Sequence, residues 1–223
     1  MSEPAVLGLL RTLPYFRALD EAALLSLAGQ SVLRTAEAGE TLFLEGEPAS
    51  GLWMIQQGRA KIYKLNPEGV ELVLRIFGDG NTFNDIPAID GGPNPINGAA
   101  LSPLTAWVLP AESLQQLIRG DHRVALAVVQ ALAGRVRGLV QTVEDLSMYS
   151  VTVRLSRFLL QQLEDPSLSG PGVTRTTIAA HLATTPQTIS VALRDLERTG
   201  AIEFDRHRIL IQDEPLLRSI ALL

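Results

Sequence analysis

The sequence predicts an α+β chain: an N-terminal antiparallel β-barrel, then one long helix, then a C-terminal winged helix-turn-helix. Three observations carry that expectation. Between residues 31 and 110, short apolar or alternating segments are punctuated by Gly39, Gly46, Gly51, Gly58, Gly69, Gly78 and Gly80, a spacing that suits an antiparallel barrel or sandwich. Residues 121–148 contain no proline and carry a regular apolar seam. Residues 173–211 read as two short helices followed by a hairpin. The expected division is 1–120, 121–148 and 149–223.

The elements follow in chain order. Residues 1–30 are predicted helical, with Leu7, Leu10 and Leu13 on one side and Ala18-Leu19-Asp20 opening a second helix. Strands are predicted at 52–57, 60–65 and 70–77, and Pro67-Glu68-Gly69 marks a hairpin turn. In the long helix, Val129, Leu132, Val136, Leu139, Val143 and Leu146 recur at alternating spacings of three and four. Valine alternating with leucine is the a/d pattern of a two-stranded parallel coiled coil, so the seam predicts a homodimer. Ile178 and Leu182 give the next short helix a buried face. Thr185 and Pro186 then open a second one as N-cap and first-turn proline. Its apolar face is Ile189, Leu193 and Leu196; its opposite face shows Gln187, Val191, Arg194 and Arg198. Two helices so arranged suit a helix-turn-helix whose second member enters a DNA major groove. Gly200 ends that helix, and Ile202, Phe204, Ile209 and Ile211 alternate around a turn at Asp205–Arg208. Arg206 and Arg208 on this wing are candidates for phosphate contacts, while His207 reads as a solvated turn residue.

Composition bounds the function classes. The 223 residues carry a formal net charge of −5. Acidic residues dominate positions 1–120, whereas arginines gather between 150 and 211, which is compatible with DNA binding by one module of an acidic body. The chain has no cysteine, so disulfides, thiol switches and cysteine-ligated iron–sulfur clusters are excluded. No apolar run reaches the roughly 18 residues of a membrane span and no signal peptide is evident. A cytoplasmic protein without membrane attachment is expected. No nucleophile elbow or P-loop occurs, and the barrel region holds no histidine for a cupin-type metal site, so no enzyme activity and no metal are expected.

Five segments in order carry a family resemblance: A-G-E-T-L-F-L-E-G-E-P-A (38–49), G-R-A-K-I-Y-K-L-N-P-E-G (58–69), F-G-D-G-N-T-F (77–83), V-T-V-R-L-S-R-F-L (151–159) and V-T-R-T-T-I-A-A-H-L (173–182). Together the chain resembles the cyclic-AMP receptor / fumarate-nitrate regulator (CRP/FNR) superfamily of bacterial transcription regulators over its whole length. The resemblance implies a cyclic-nucleotide-binding-like barrel, a dimerisation helix, a pseudo-palindromic DNA operator and contact with RNA polymerase. It also implies an effector that shifts the long helix and reorients the DNA-binding domains. By resemblance and chemistry, the expected DNA-binding residues are Thr152, Thr174, Arg175, Thr185, Gln187, Thr188, Ser190, Val191, Arg194, Arg206 and Arg208. Where relatives often show Arg-Glu-Thr and a later Arg, this chain has Pro186-Gln187-Thr188 and Val191. That raises the alternative of a ligand sensor with degenerate DNA binding.

The effector segment departs further. In cyclic-nucleotide binders of the family a Gly-Glu pair holds the ribose and an Arg-Ser/Thr pair the phosphate. Residues 83–100 place Asn84-Asp85 and Pro95-Ile96 at those positions, and no Lys or Arg lies between Arg75 and Arg119. A buried phosphate would lack its charge-assisted partner, and Asp85 would repel it. Cyclic nucleotide is therefore not the expected cofactor. The effector candidates are Phe83, Asn84, Asp85, Ile86, Ile96 and Asn97, with Ile89 adding apolar surface. Asp85 and Asp90 are read as loop carboxylates without an identifiable partner. Haem sensing of a diatomic gas, with His122 as ligand, and action without any effector are the alternatives kept.

Overall fold

The computed structural model describes residues 3–205 and 208–223. By internal packing the chain divides into two compact units, one of residues 1–64 with 75–138 and one of residues 65–74 with 139–223.

In the first unit, helix α1 (Glu3–Thr12), a 3-10 turn at Pro14–Phe16 and helix α2 (Glu21–Gln30) precede the strands. Asp20 caps α2 by accepting the Ala23 N–H at 2.9 Å. Eight strands follow: β1 (Val32–Ala36), β2 (Thr41–Phe43), β3 (Gly51–Gln57), β4 (Ala60–Leu65), β5 (Glu71–Phe77), β6 (Thr82–Phe83), β7 (Asn97–Ala100) and β8 (Leu104–Pro110). They form two four-stranded sheets, ordered β1-β8-β3-β6 and β2-β7-β4-β5. Of the antiparallel barrel or sandwich expected, the strands form two sheets that do not close into a continuous barrel. Strands β2 and β6 have only three and two residues, too short to close the rim with a continuous ladder.

Strand β3 is buried along Gly51–Ile55, which explains its unbroken apolar run. Leu52 and Met54 face a core shared with Val6, Leu10, Phe16, Leu109, Leu114, Val124 and Val128. Trp53 and Ile55 face the space between the sheets with Phe43, Phe77, Phe83 and Val108. Successive strand residues point to opposite faces, so β3 serves helices on one side and the second sheet on the other. Four aromatic rings fill the inter-sheet space: Phe83 lies 5.6 Å from Trp53, 5.4 Å from Phe77 and 6.1 Å from Phe43. Gly98 is needed there, since a Cβ would stand 2.5 Å from the Phe43 ring.

Residues 85–90, read from sequence as loop, form helix α3 (Asp85–Asp90). After α4 (Ala111–Gly120) comes α5 (His122–Met148), the predicted long helix. By length and composition it is apolar enough to cross a membrane, which corrects the expectation that no apolar run reaches a span. Val124 and Val128 are buried, while Val129, Val136, Leu139 and Val143 are each about 60% exposed (61%, 59%, 62% and 63%).

In the second unit, Ser150 caps α6 (Val151–Glu164). There follow a 3-10 turn (Pro166–Leu168), α7 (Arg175–His181), α8 (Pro186–Thr199), strands β9 (Ile202–Phe204) and β10 (Ile209–Ile211), and α9 (Glu214–Ile220). Leu155, Phe158, Leu159, Ile178, Ile189, Leu193, Leu196, Ile202 and Leu217 are buried here. Helix α9 was not anticipated; Asp213 caps it through the Leu216 N–H at 2.9 Å.

Candidate DNA interface and sensor site

The geometry of the helix pair follows from its caps. Thr174 accepts the Thr177 N–H at 3.2 Å at the start of α7, and Thr185 accepts the Thr188 N–H at 3.2 Å at the start of α8. Pro186 occupies the first turn, where an N–H would be unpaired in any case. Ile189 and Leu193 are fully buried beneath α8. The outward face carries Gln187, Val191, Arg194 and Arg198, all exposed. Ser190 Oγ donates to the Pro186 carbonyl at 2.9 Å and Arg194 Nε to the Ser190 carbonyl at 3.2 Å. Gly200, in the left-handed region at φ 83°, ends the helix. Gln187 presents an amide and Val191 two methyl groups on one exposed face, the chemistry that reads adenine and the thymine methyl.

The wing pairs Ile202 with Ile211 and Phe204 with Ile209. Arg208 N–H donates to Asp205 Oδ1 at 2.7 Å, closing the turn, and the Arg208 side chain is exposed. Arg206, predicted as its companion, and His207 lie outside the described residues. Arg175 is tied to the wing: Nη2 donates to the Asp205 carbonyl at 2.6 Å and the guanidinium lies 5.3 Å from the Phe204 ring centre. Thr152, on the first turn of α6, is half-buried. Arg157, which sequence reading passed over, is 8% exposed. It pairs with Asp145 at 2.5 Å, donates to the Ala221 carbonyl at 2.8 Å and stacks 4.1 Å from the Tyr149 ring. It thereby fastens the end of α5 and the C-terminal turn onto α6.

Four of the six effector candidates are buried and two are not. Phe83, Asn84, Asp85 and Asn97 are buried. Ile96 is half-buried against the inter-sheet core, and Ile86 is 51% exposed on the outer side of α3. Asn84 Nδ2 donates to Asn94 Oδ1 at 3.0 Å, and Asn97 Oδ1 accepts the Glu45 N–H at 3.0 Å. The Asn84 Oδ1 and Trp53 Nε1 atoms are buried without a protein partner.

The expectation that Asp85 has no partner is corrected. Its side chain, 3% exposed, forms an ion pair through Oδ1 with Arg135 Nη1 of α5. Tyr15 Oη donates to Asp85 Oδ2 at 3.1 Å, and Arg135 Nη2 donates to Tyr15 Oη at 3.2 Å. Burial foremost, and then the Asp85 charge, push the Tyr15 hydroxyl up to about 12, opposed by Arg135. The signal for Arg135 was present in the sequence. It lies 4, 7 and 11 residues after Ala131, Val128 and Val124 on the core-facing stripe of α5, where a charge requires a partner. No Lys or Arg lies between Arg75 and Arg119, and Arg135 stands 50 residues beyond Asp85.

His122, the haem candidate, is exposed at the start of α5. Among the described residues no three His, Asp or Glu side chains group as a metal site would need.

Two family descriptions match the chain: a cyclic nucleotide-binding domain over residues 33–121 and a Crp-like helix-turn-helix domain over residues 153–220. The CRP-like cAMP-activated global transcriptional regulator of Mycobacterium tuberculosis is 26% identical over 209 residues, covering 91% of this chain and 93% of that one. FixK2 of Bradyrhizobium japonicum is 22% identical, with a TM-score of 0.76 over 85% of this chain and 96% of that one. A structure attributed to the crp/fnr family from Eubacterium rectale reaches a TM-score of 0.76 at 20% identity, covering 96% of this chain and 100% of that one. With both parts matched in the same order and the aligned regulators spanning nearly their full length, the chain belongs to the CRP/FNR superfamily and is a transcription regulator of that type.

Proposed function

We propose that this regulator binds a pseudo-palindromic DNA site as a homodimer, in the cytoplasm with RNA polymerase, and that it does so without a cyclic nucleotide. The exposed seam on α5 is the observation that supports the dimer. Four valine and leucine side chains about 60% exposed on one 27-residue helix form an apolar stripe that a single chain leaves in water. A two-fold dimer presents two α8 helices to half-sites about one helical turn, roughly 34–36 Å, apart. The seam comprises Val129, Leu132, Val136, Leu139, Val143 and Leu146, with Leu132 half-turned toward its own core.

On each half-site Gln187, Val191 and Arg194 read bases. Thr152, Thr174, Thr185, Thr188, Ser190 and Arg208, with Arg206 of the wing, hold phosphates. Arg175 serves both the phosphate backbone and the wing.

The Mycobacterium tuberculosis relative is named as cAMP-activated. The residues of this chain do not fit that ligand. Pro95 and Ile96 bear no charge, Arg135 already has a carboxylate, and four aromatic rings fill the space between the sheets. Selection of random DNA with the purified protein, without added ligand, tests the reading. It should return a two-fold symmetric motif with A·T favoured at the Gln187 contact. Failure to enrich any sequence, or half-sites dominated by G·C at that contact, contradicts it.

A further inference from the structure

We propose that Arg157 is a positioning residue for operator recognition: by clamping the joint between α5 and α6 it fixes the direction in which α8 leaves the long helix, and so makes the protein select one spacing between half-sites. The inference deepens the reading of a dimeric regulator and rests on it.

The joint is short. Helix α5 ends at Met148 and α6 begins at Val151, so only Tyr149 and Ser150 lie between them. Each residue has two soft backbone torsions, and a two-residue connection left to itself lets the helices on either side swing. The last turns of α5, from Leu139 onward, belong to the same compact unit as the helix-turn-helix. Arg157, two turns into α6, braces the joint from three directions. Nη1 pairs with Asp145 Oδ1, in the last turn of α5, at 2.5 Å. The guanidinium lies 4.1 Å from the centre of the Tyr149 ring, in the joint itself. Nε donates to the Ala221 carbonyl, after α9, at 2.8 Å. The partners are held in turn: Gln141 Nε2 donates to Asp145 Oδ1 at 3.1 Å, and Tyr149 Oη donates to Glu144 Oε1 at 3.1 Å.

Chemistry makes the brace specific to arginine. A planar guanidinium takes an aromatic ring on its face while its edges donate in two directions, which a lysine ammonium cannot reproduce. Arg157 is 8% exposed, so these bonds act in a poorly hydrated place. Buried as it is, Arg157 acts on DNA through the helices it positions and not by contact. Helix α6 packs on α8 and α9, and Leu155, Phe158 and Leu159 of α6 are buried, as are Ile189 and Leu193 of α8. What fixes α6 against the end of α5 therefore fixes α8. In a two-fold dimer the α5 seam sets the axis, and the joint sets how far apart the two α8 helices stand. One base pair inserted between half-sites separates them by about 3.4 Å more and turns one against the other by roughly 35°. A braced joint resists that displacement, and a loose one follows it.

Fluorescence anisotropy on the full-length protein tests this, with duplexes carrying the selected half-sites at their selected spacing, with one base pair added or removed, and with a single half-site. Wild type should bind the altered spacings at least tenfold more weakly than the selected one. Arg157→Met keeps an unbranched stem, and Asp145, whose side chain is 21% exposed, can turn to water. This variant should shrink the ratio to about threefold or less, while its affinity for the single half-site stays within about twofold of wild type. Should it fail to fold, as judged by circular dichroism, Tyr149→Leu removes the ring contact alone and should shrink the ratio in the same direction. A folded variant that discriminates spacing as wild type does overturns the proposal. So does one that loses affinity for the single half-site by the same factor as for the full site, the mark of a merely structural role. The dimer reading is tested separately by wild type: a single half-site bound as tightly as the full site would sink that reading and the proposal with it, whereas unchanged discrimination in the variants overturns the proposal alone.

Discussion

Replacing Arg135 by methionine strips the buried Asp85 carboxylate of its ion pair while keeping an unbranched apolar stem on the α5 core stripe. The carboxylate side chain is 3% exposed, so water cannot replace the guanidinium, and the Tyr15 hydroxyl remains as its donor at 3.1 Å. Breaking a buried pair from one side costs about 3–5 kcal/mol. For a chain of this size each kcal/mol lowers Tm by roughly 2–4 °C, so the loss should be on the order of 6–20 °C for the unit that contains the pair. Both tryptophans of the protein, Trp53 and Trp107, lie in strands β3 and β8 of that unit. Tryptophan fluorescence during denaturant or thermal unfolding therefore reads the relevant transition. Adding Asp85→Asn to Arg135→Met should recover much of the loss, because removing both partners leaves no bare charge. A shift below about 1 kcal/mol for Arg135→Met would mean that the carboxylate finds water or another cation, and the reasoning about the buried cluster would fail.

Other consequences are open to measurement. Leu139→Glu places two like charges in the apolar seam and should yield monomers that no longer bind operator; sedimentation of a dimeric variant at micromolar concentration would refute the seam. Gln187→Ala should cost about 1–3 kcal/mol on the best site and relax one base position, measured by fluorescence anisotropy on matched and mismatched sites. Arg175→Ala should weaken all sequences alike and lower the salt slope by about 1, and hydrogen exchange should show a loosened wing because the bond to the Asp205 carbonyl is lost. A change of sequence preference without a change of slope would reassign it to base reading. The raised Tyr15 value has a pH consequence: stability from the neutral phenol is complete below about 10 and is lost as pH rises toward about 12. Tyr15→Phe should therefore unfold less steeply than wild type across that alkaline window; parallel curves would show that Tyr15 ionises freely in the folded chain.

The second unit was more legible in the sequence than the first. Thr174, Thr185, Pro186 and Gly200 act on their own neighbours through caps and a left-handed turn, and local chemistry is what a sequence displays. The pairing of Ile202 with Ile211 was readable for the same reason. Sheet topology was not: β8 lies between β1 and β3, and β7 between β2 and β4, pairings set by packing of distant segments. That is also why barrel and sandwich stay undivided at the level of sequence. Helix α3 was missed because Gly91, Gly92 and three prolines at 87, 93 and 95 make residues 83–100 read as loop. The Asp85–Arg135 pair spans 50 residues, and only the anomaly of an arginine on an apolar stripe hinted at it. Helix α9 has a capping aspartate, Asp213, followed by a proline in the first turn, a signal that was present and went unread.

The most direct test of the account is the operator affinity of purified protein, titrated by fluorescence anisotropy without ligand and again with saturating cyclic AMP. The account predicts sequence-specific binding by a dimer with the same affinity in both titrations. Weak, non-specific binding that becomes tight and specific only when cyclic AMP is added would contradict it.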